Sequence, residues 1–83
     1  MGTKKNPGAH DCYARALDDE PLFTVLARGP HAPELIEAWA IRRARDIRLG
    51  IRPESDRAMV DEAFACATEM REWRAANYGR WRK

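Results

Sequence analysis

The 83-residue chain has no long apolar run; the longest unbroken one spans only a few residues, whereas about 20 are needed to cross a bilayer. Nor does a charged-then-apolar leader open it, so the protein is expected in the cytoplasm and away from membranes. Cysteine is scarce: Cys12 and Cys66 stand 54 positions apart, and without secretion they are expected to be free thiols rather than a disulfide. Lysine is nearly absent, with only Lys4, Lys5 and Lys83, so almost every cation is arginine. Arginine's planar fork suits bidentate contact with carboxylate and phosphate, although a GC-rich genome enriches it too. The net charge of +2 is too small by itself to assign a polyanionic partner.

What is present belongs to a folded protein. Hydrophobic residues make up 45% and charged residues 34%, and a disordered chain would be poorer in the former. A domain of this length buries only about 60% of its unfolded surface, so a second subunit is expected to help it. Residues 1–9, "MGTKKNPGA", read as a flexible leader with no large apolar side chain after Met1. One turn of helix is expected around Tyr13–Leu17, closed by Asp18, Asp19 and Glu20. Leu22–Leu26 carries strand-like Phe23, Thr24 and Val25, yet acids ahead of Pro21 resemble a helix start, and a short helix is favoured over a strand.

The next two segments are clearer. "HAPELIEAWAIRRARDIRLG" has Pro33 in its first turn, acids at its start, arginines at its end and Gly50 as a stop. "SDRAMVDEAFACATEMREWRAAN" predicts the longest helix, from about Ser55 or Asp56 to Ala76. Its stripe is Met59, Ala63, Cys66, Met70 and Trp73, widened by Val60, Phe64 and Ala67. No repeat appears, and residues 77–83 form a basic, aromatic tail. The expected fold is all-α: residues 10–76 as a single small, compact, homodimeric helical domain with two main helices and one or two short ones.

The densest chemistry lies in "AIRRARDIRLGIR", residues 40–52, with five arginines in thirteen positions. Residues 42–57 carry six arginines against Asp46, Glu54 and Asp56; residues 71–83 carry five cations against Glu72. Two basic segments in one small domain can converge on an anion, so Arg42, Arg45, Arg48 and Arg52 are the candidate ligand-binding set. Arginines in the last turns of a helix are also stabilised by its dipole, which explains them without any ligand. Asp46 is placed to pair with Arg42 and Arg43, whereas Glu37 has isoleucine, not arginine, four residues on. The loop "RGPHAP" ahead of a helix offers a second-choice anion site flanked by Arg28 and His31, opposed by Glu34.

Other chemistries fit less well. A helix-turn-helix DNA reader is disfavoured because residues 55–76 hold five acids and three arginines, with Asp56, Asp61 and Glu62 where phosphates would lie. His10, Cys12, His31 and Cys66 are the right residue types for tetrahedral zinc at the wrong spacing, and Cys66 sits on the apolar stripe. Neither cysteine has a motif marking an activated nucleophile, so no catalytic residue, metal or cofactor is assigned. Trp39 and Trp73 fall on the helix stripes as core or subunit contacts, whereas Trp81, between Arg80 and Arg82, is placed to stack on a base or a partner.

In "DCYARAL", "DEPLFTVLAR", "APELIEAWA" and "AMVDEAFACATEMREW" the chain resembles small proteins recurring in phages and prophages of Gram-negative bacteria, over about residues 10–74. The matching elements include Cys12, Asp19, Glu20, Pro21, Leu26, Ala27, Arg28, Ala32, Pro33, Trp39, Ala63, Ala67, Met70 and Trp73. The resemblance implies a setting, a phage accessory protein in a bacterial host's cytoplasm, and no mechanism. Such proteins often counter host defences, which gives the leading expectation: a non-enzymatic homo-oligomer that captures an anionic nucleotide immune signal. The alternatives are a protein-surface inhibitor of a bacterial defence complex, such as a CRISPR effector, and a structural or regulatory phage protein.

Overall fold

In a computed structural model, which describes residues 2–8 and 12–81, the elements run α1 (Cys12–Arg15), α2 (Ala32–Arg48), a 3₁₀ turn (Glu54–Asp56), α3 (Arg57–Ala76) and α4 (Tyr78–Trp81). No strand occurs among the described residues. The fold is thus helical, with two long helices packed on each other as a hairpin and short ones at either end.

The boundaries follow from local chemistry. Pro33 occupies the first turn of α2, where a missing N–H costs nothing, with Glu34 near the positive end of the dipole and Arg45 and Arg48 at the negative end. Gly50 ends the helix with φ +79°, donating its N–H to Ile47 O at 3.1 Å while the Ile51 N–H reaches Asp46 O at 2.8 Å. This pair of bonds is a Schellman closure, which satisfies carbonyls that the last turn would leave bare. Pro53 starts the 3₁₀ turn, and α3 then runs 20 residues, about 30 Å, until the Asn77 backbone and side chain both donate to Trp73 O. After α1, which stops at Arg15 rather than at Leu17, Leu17 donates its N–H to Glu20 Oε1 and accepts the Glu20 N–H, each at 3.0 Å, so of the acidic cluster Glu20 closes a separate turn over residues 17–20.

The core is thin. Ala40, Ile47, Val60 and Ala63 form its centre, flanked by Ile36, Trp39 and Ala44. Ala40, Ala63 and Ala67 are fully buried, and small side chains at a crossing let two helices approach closely. Val60 is the largest side chain that is completely enclosed. Cys66 completes the buried stripe as a small hydrophobe.

One expected element is absent. Leu22–Leu26 forms no helix: the chain passes from Glu20 to Leu26 without helix, turn or bend. The segment is too short to nucleate on its own, and its central Phe23, Thr24 and Val25 restrict χ1 in a helix. The whole chain, leader and tail included, has a radius of gyration of 14.0 Å against about 12 Å for a compact domain of this length. At the ends, residues 3–6 close a small turn and the tail begins with the α4 turn, while His10, Arg82 and Lys83 lie outside the described residues.

Two glycines give a clean test of the backbone reading, because a Cβ added at either meets no atom within 4 Å. Gly50→Ala should cost about 1–2 kcal/mol through its left-handed backbone alone. Gly79→Ala, in ordinary helical backbone, should gain up to about 1 kcal/mol. Urea midpoints at unchanged slope check both.

Candidate functional site

The arginines divide into two kinds. Arg43, half-buried, lies over the Trp39 ring at 5.2 Å and reaches Asp56 Oδ2 at 3.3 Å. Arg52 donates Nε–H to the same oxygen at 2.7 Å. Asp56 itself is only 8% exposed, so one nearly buried carboxylate ties the end of α2, the connecting turn and the start of α3 together. The hydrogen bond from Arg52, with the charges of Arg52 and Arg43, holds the Asp56 carboxyl below its ordinary range against the opposing effect of burial. The Arg52 guanidinium is raised in turn by that bond and by the charge of Asp56.

A second tie joins the middle of the hairpin. Glu37 accepts two parallel bonds from Arg71, at 2.8 and 2.7 Å, in a bidentate fork. These bonds push the Glu37 carboxyl down and the Arg71 guanidinium up. Arg74 donates to the carbonyls of Arg28 and Gly29, at 3.3 and 2.8 Å, pinning the loop ahead of α2 onto α3. Arg80 lies over the Trp73 ring at 5.9 Å and bonds Asn77 Oδ1 at 2.8 Å.

Arg42, Arg45 and Arg48 behave otherwise. They make no hydrogen bond, ion pair or ring contact with the described residues, and all three are exposed on the outer side of α2. The helical period sets Leu35, Ile41 and Leu49 on the same arc, each 58–61% exposed, so the face alternates cation and aliphatic. Of the expected set, Arg42, Arg45 and Arg48 share this face, and Arg52 stands beyond its end, already committed to Asp56.

The second-choice site fares differently. His31 is highly exposed with Nδ1 3.9 Å from the Glu34 carboxylate, and Arg28 is exposed without an ion pair. At the start of α2 the Ala32 N–H bonds Gly29 O at 3.2 Å and Pro33 has no N–H, so few free donors remain for an anion. His31 lies about 20 Å along the helix from Arg45, which sets these two candidates apart.

Two depressions in the surface lie away from Arg42, Arg45, Arg48 and Arg52, none of which lines either. A depression of about 340 Å³ lies among Pro30, Pro33, Glu34, Arg71, Arg74, Ala75 and Tyr78. Another, of about 370 Å³, opens between residues 2–4, residues 25–28 and the α3 side chains Cys66, Glu69, Met70 and Trp73. Burial pushes the Cys66 thiol up, away from the thiolate a nucleophile needs. Among the described residues no group of three or more His, Cys, Asp or Glu side chains comes together as a metal site. No described helix is long and apolar enough to cross a membrane. The side chain of Trp81, the candidate stacking residue, lies outside the described part.

Compared with protein-family models, curated proteins and solved structures, the chain matches none.

Sequence spacing did not reveal Asp56 as the hub. The one available signal was an aspartate four residues after Arg52, the i,i+4 relation that the pair adopts. The fork between Glu37 and Arg71, 34 positions apart, has no sequence signal of this kind.

The Asp56 hub makes a pH-dependent prediction. Because its carboxyl is lowered in the folded state, its contribution is complete above the ordinary aspartate value of about 4 and is lost as pH falls through the lowered folded value. Asp56→Asn should therefore melt below the wild type at pH 7, with a gap that closes as both are acidified. Thermal melts followed by circular dichroism across pH 2–7 would check this, roughly spanning the aspartate titration.

Proposed function

We propose that the protein is a non-enzymatic binding protein of phage accessory type, acting in a bacterial host's cytoplasm through the outer face of α2. The observation that carries this reading is the set of Arg42, Arg45 and Arg48, exposed and without partners among the described residues, between exposed Leu35, Ile41 and Leu49. Cations held off from every described carboxylate keep their charge for an external anion. The aliphatic side chains between them supply area for hydrophobic contact, which a purely solvated face does not offer.

The shape of the face selects among anions. A small nucleotide is bound where a concave wall removes most of its surface from water, and an outward helix face gives no such wall. An acidic protein surface meets a helix face along its length, so direct inhibition of a bacterial defence complex is the reading the geometry favours. Capture of a nucleotide immune signal is the second reading; the free arginines support it, and it requires a second copy to close over them. Trp39 and Arg43 lie on the inner margin of α2, so the partner meets aliphatic and cationic groups rather than a stacking platform.

Arg45→Glu tests the reading, since the side chain is exposed and makes no hydrogen bond or ion pair with the described residues. In bacteria carrying a defence system that the wild-type protein suppresses, phage plating should fall by about tenfold or more with the variant, the effect of losing one charge-paired contact. Helicity should be unchanged. Plating equal to the wild type would remove the α2 face from the reading. Saturable heat on titrating purified nucleotide signals, abolished by the same substitution, would favour nucleotide capture over a protein target.

A further inference from the structure

Residues 21–25 form the least satisfied stretch of the described backbone. None of their N–H or C=O groups makes a hydrogen bond; the nearest bonds are Glu20 N–H to Leu17 O and Gly29 N–H to Leu26 O, one on either side. Over the same stretch Phe23 is 88% exposed and Leu22 and Leu26 are each more than half exposed. Phe23, Thr24 and Val25 are strand formers, and the chain runs from Leu22 to Leu26 without turn or bend. A row of open donors and acceptors flanked by exposed apolar side chains is a template for another strand.

We infer that Leu22–Leu26 pairs antiparallel with the same segment of a second copy, about a twofold axis through Thr24. Three independent features select this occupant. First, the register is self-complementary: Leu22 of one copy faces Leu26 of the other, and Phe23 faces Val25, an aromatic against a β-branched side chain. Second, the charges at the ends agree, since the pairing brings Glu20 of one copy towards the hydrogen-bonded turn that follows Leu26 in the other, and that turn carries Arg28, which has no ion pair within the described residues. A parallel pairing would instead set like charges together. Third, with Thr24 in a hydrogen-bonded pair, Leu22 and Leu26 also direct their N–H groups at the partner, while Pro21 falls where no N–H is required.

The pairing uses none of the α2 arginines, so it stands or falls separately from the reading of that face.

Light scattering of the full chain should return twice the 9.5 kDa chain mass, and dilution should give a dimer dissociation constant. Thr24→Pro removes the central donor and should weaken the dimer by roughly tenfold or more, with helicity kept. Amide exchange should protect Leu22, Thr24 and Leu26 and leave Phe23 and Val25 open, an alternation that a side-chain contact alone does not produce. Glu20→Arg should weaken the dimer, and adding Arg28→Glu should restore it. A chain that stays monomeric at every concentration, or a dimer indifferent to Thr24→Pro with no alternation in exchange, would overturn the proposal.

Discussion

The packing of α2 on α3 around Ala40 and Ala63 is the constraint on which the rest of the fold depends. Alanine at a helix crossing buries little area, yet it allows the backbones to come near enough for side chains on either margin to reach across. The ties at those margins, Glu37 with Arg71 and Asp56 with Arg43 and Arg52, exist because the alanine seam brings the helices within reach. A bulkier seam would part them. The same economy leaves the core thin, with most large aliphatic side chains at its edge or outside it.

A two-helix hairpin has one inner and two outer faces, and the outer faces here differ in kind. That of α2 carries free arginines among leucine and isoleucine; that of α3 carries Asp61, Glu69 and Glu72 among small residues. The arginines nearest the seam are consumed in structure: Arg43, Arg52, Arg71 and Arg74 each hold one part of the chain to another. Along α2, those a further turn outward keep their charge for other molecules. Position relative to the seam, rather than the number of arginines, separates structural cations from candidate binding ones.

Much of this was legible beforehand and some was not. The two long helices and the buried place of Cys66 followed from apolar spacing, and the Gly50 stop from local stereochemistry, all of which act within a few residues. The sequence marked Arg42, Arg45 and Arg48 by their density with Arg52, and the face the three share emerged with the helix. The sequence misled at Leu22–Leu26, where the acids before Pro21 resemble a helix start although the residues after it do not sustain one. It was silent on Asp56, because a single aspartate among several acquires importance only when two arginines from different turns converge on it.

By itself, then, the sequence determined the helices, their ends and the clustering of arginine, because propensity, capping and periodicity are short-range properties of neighbouring residues. Only the tertiary structure decided which arginines remain free, because an ion pair such as Arg71 with Glu37 depends on the packing of segments far apart in the chain. It also decided that Leu22–Leu26 stands open along its backbone, since whether a strand-forming segment finds a partner is settled by what the rest of the molecule sets beside it.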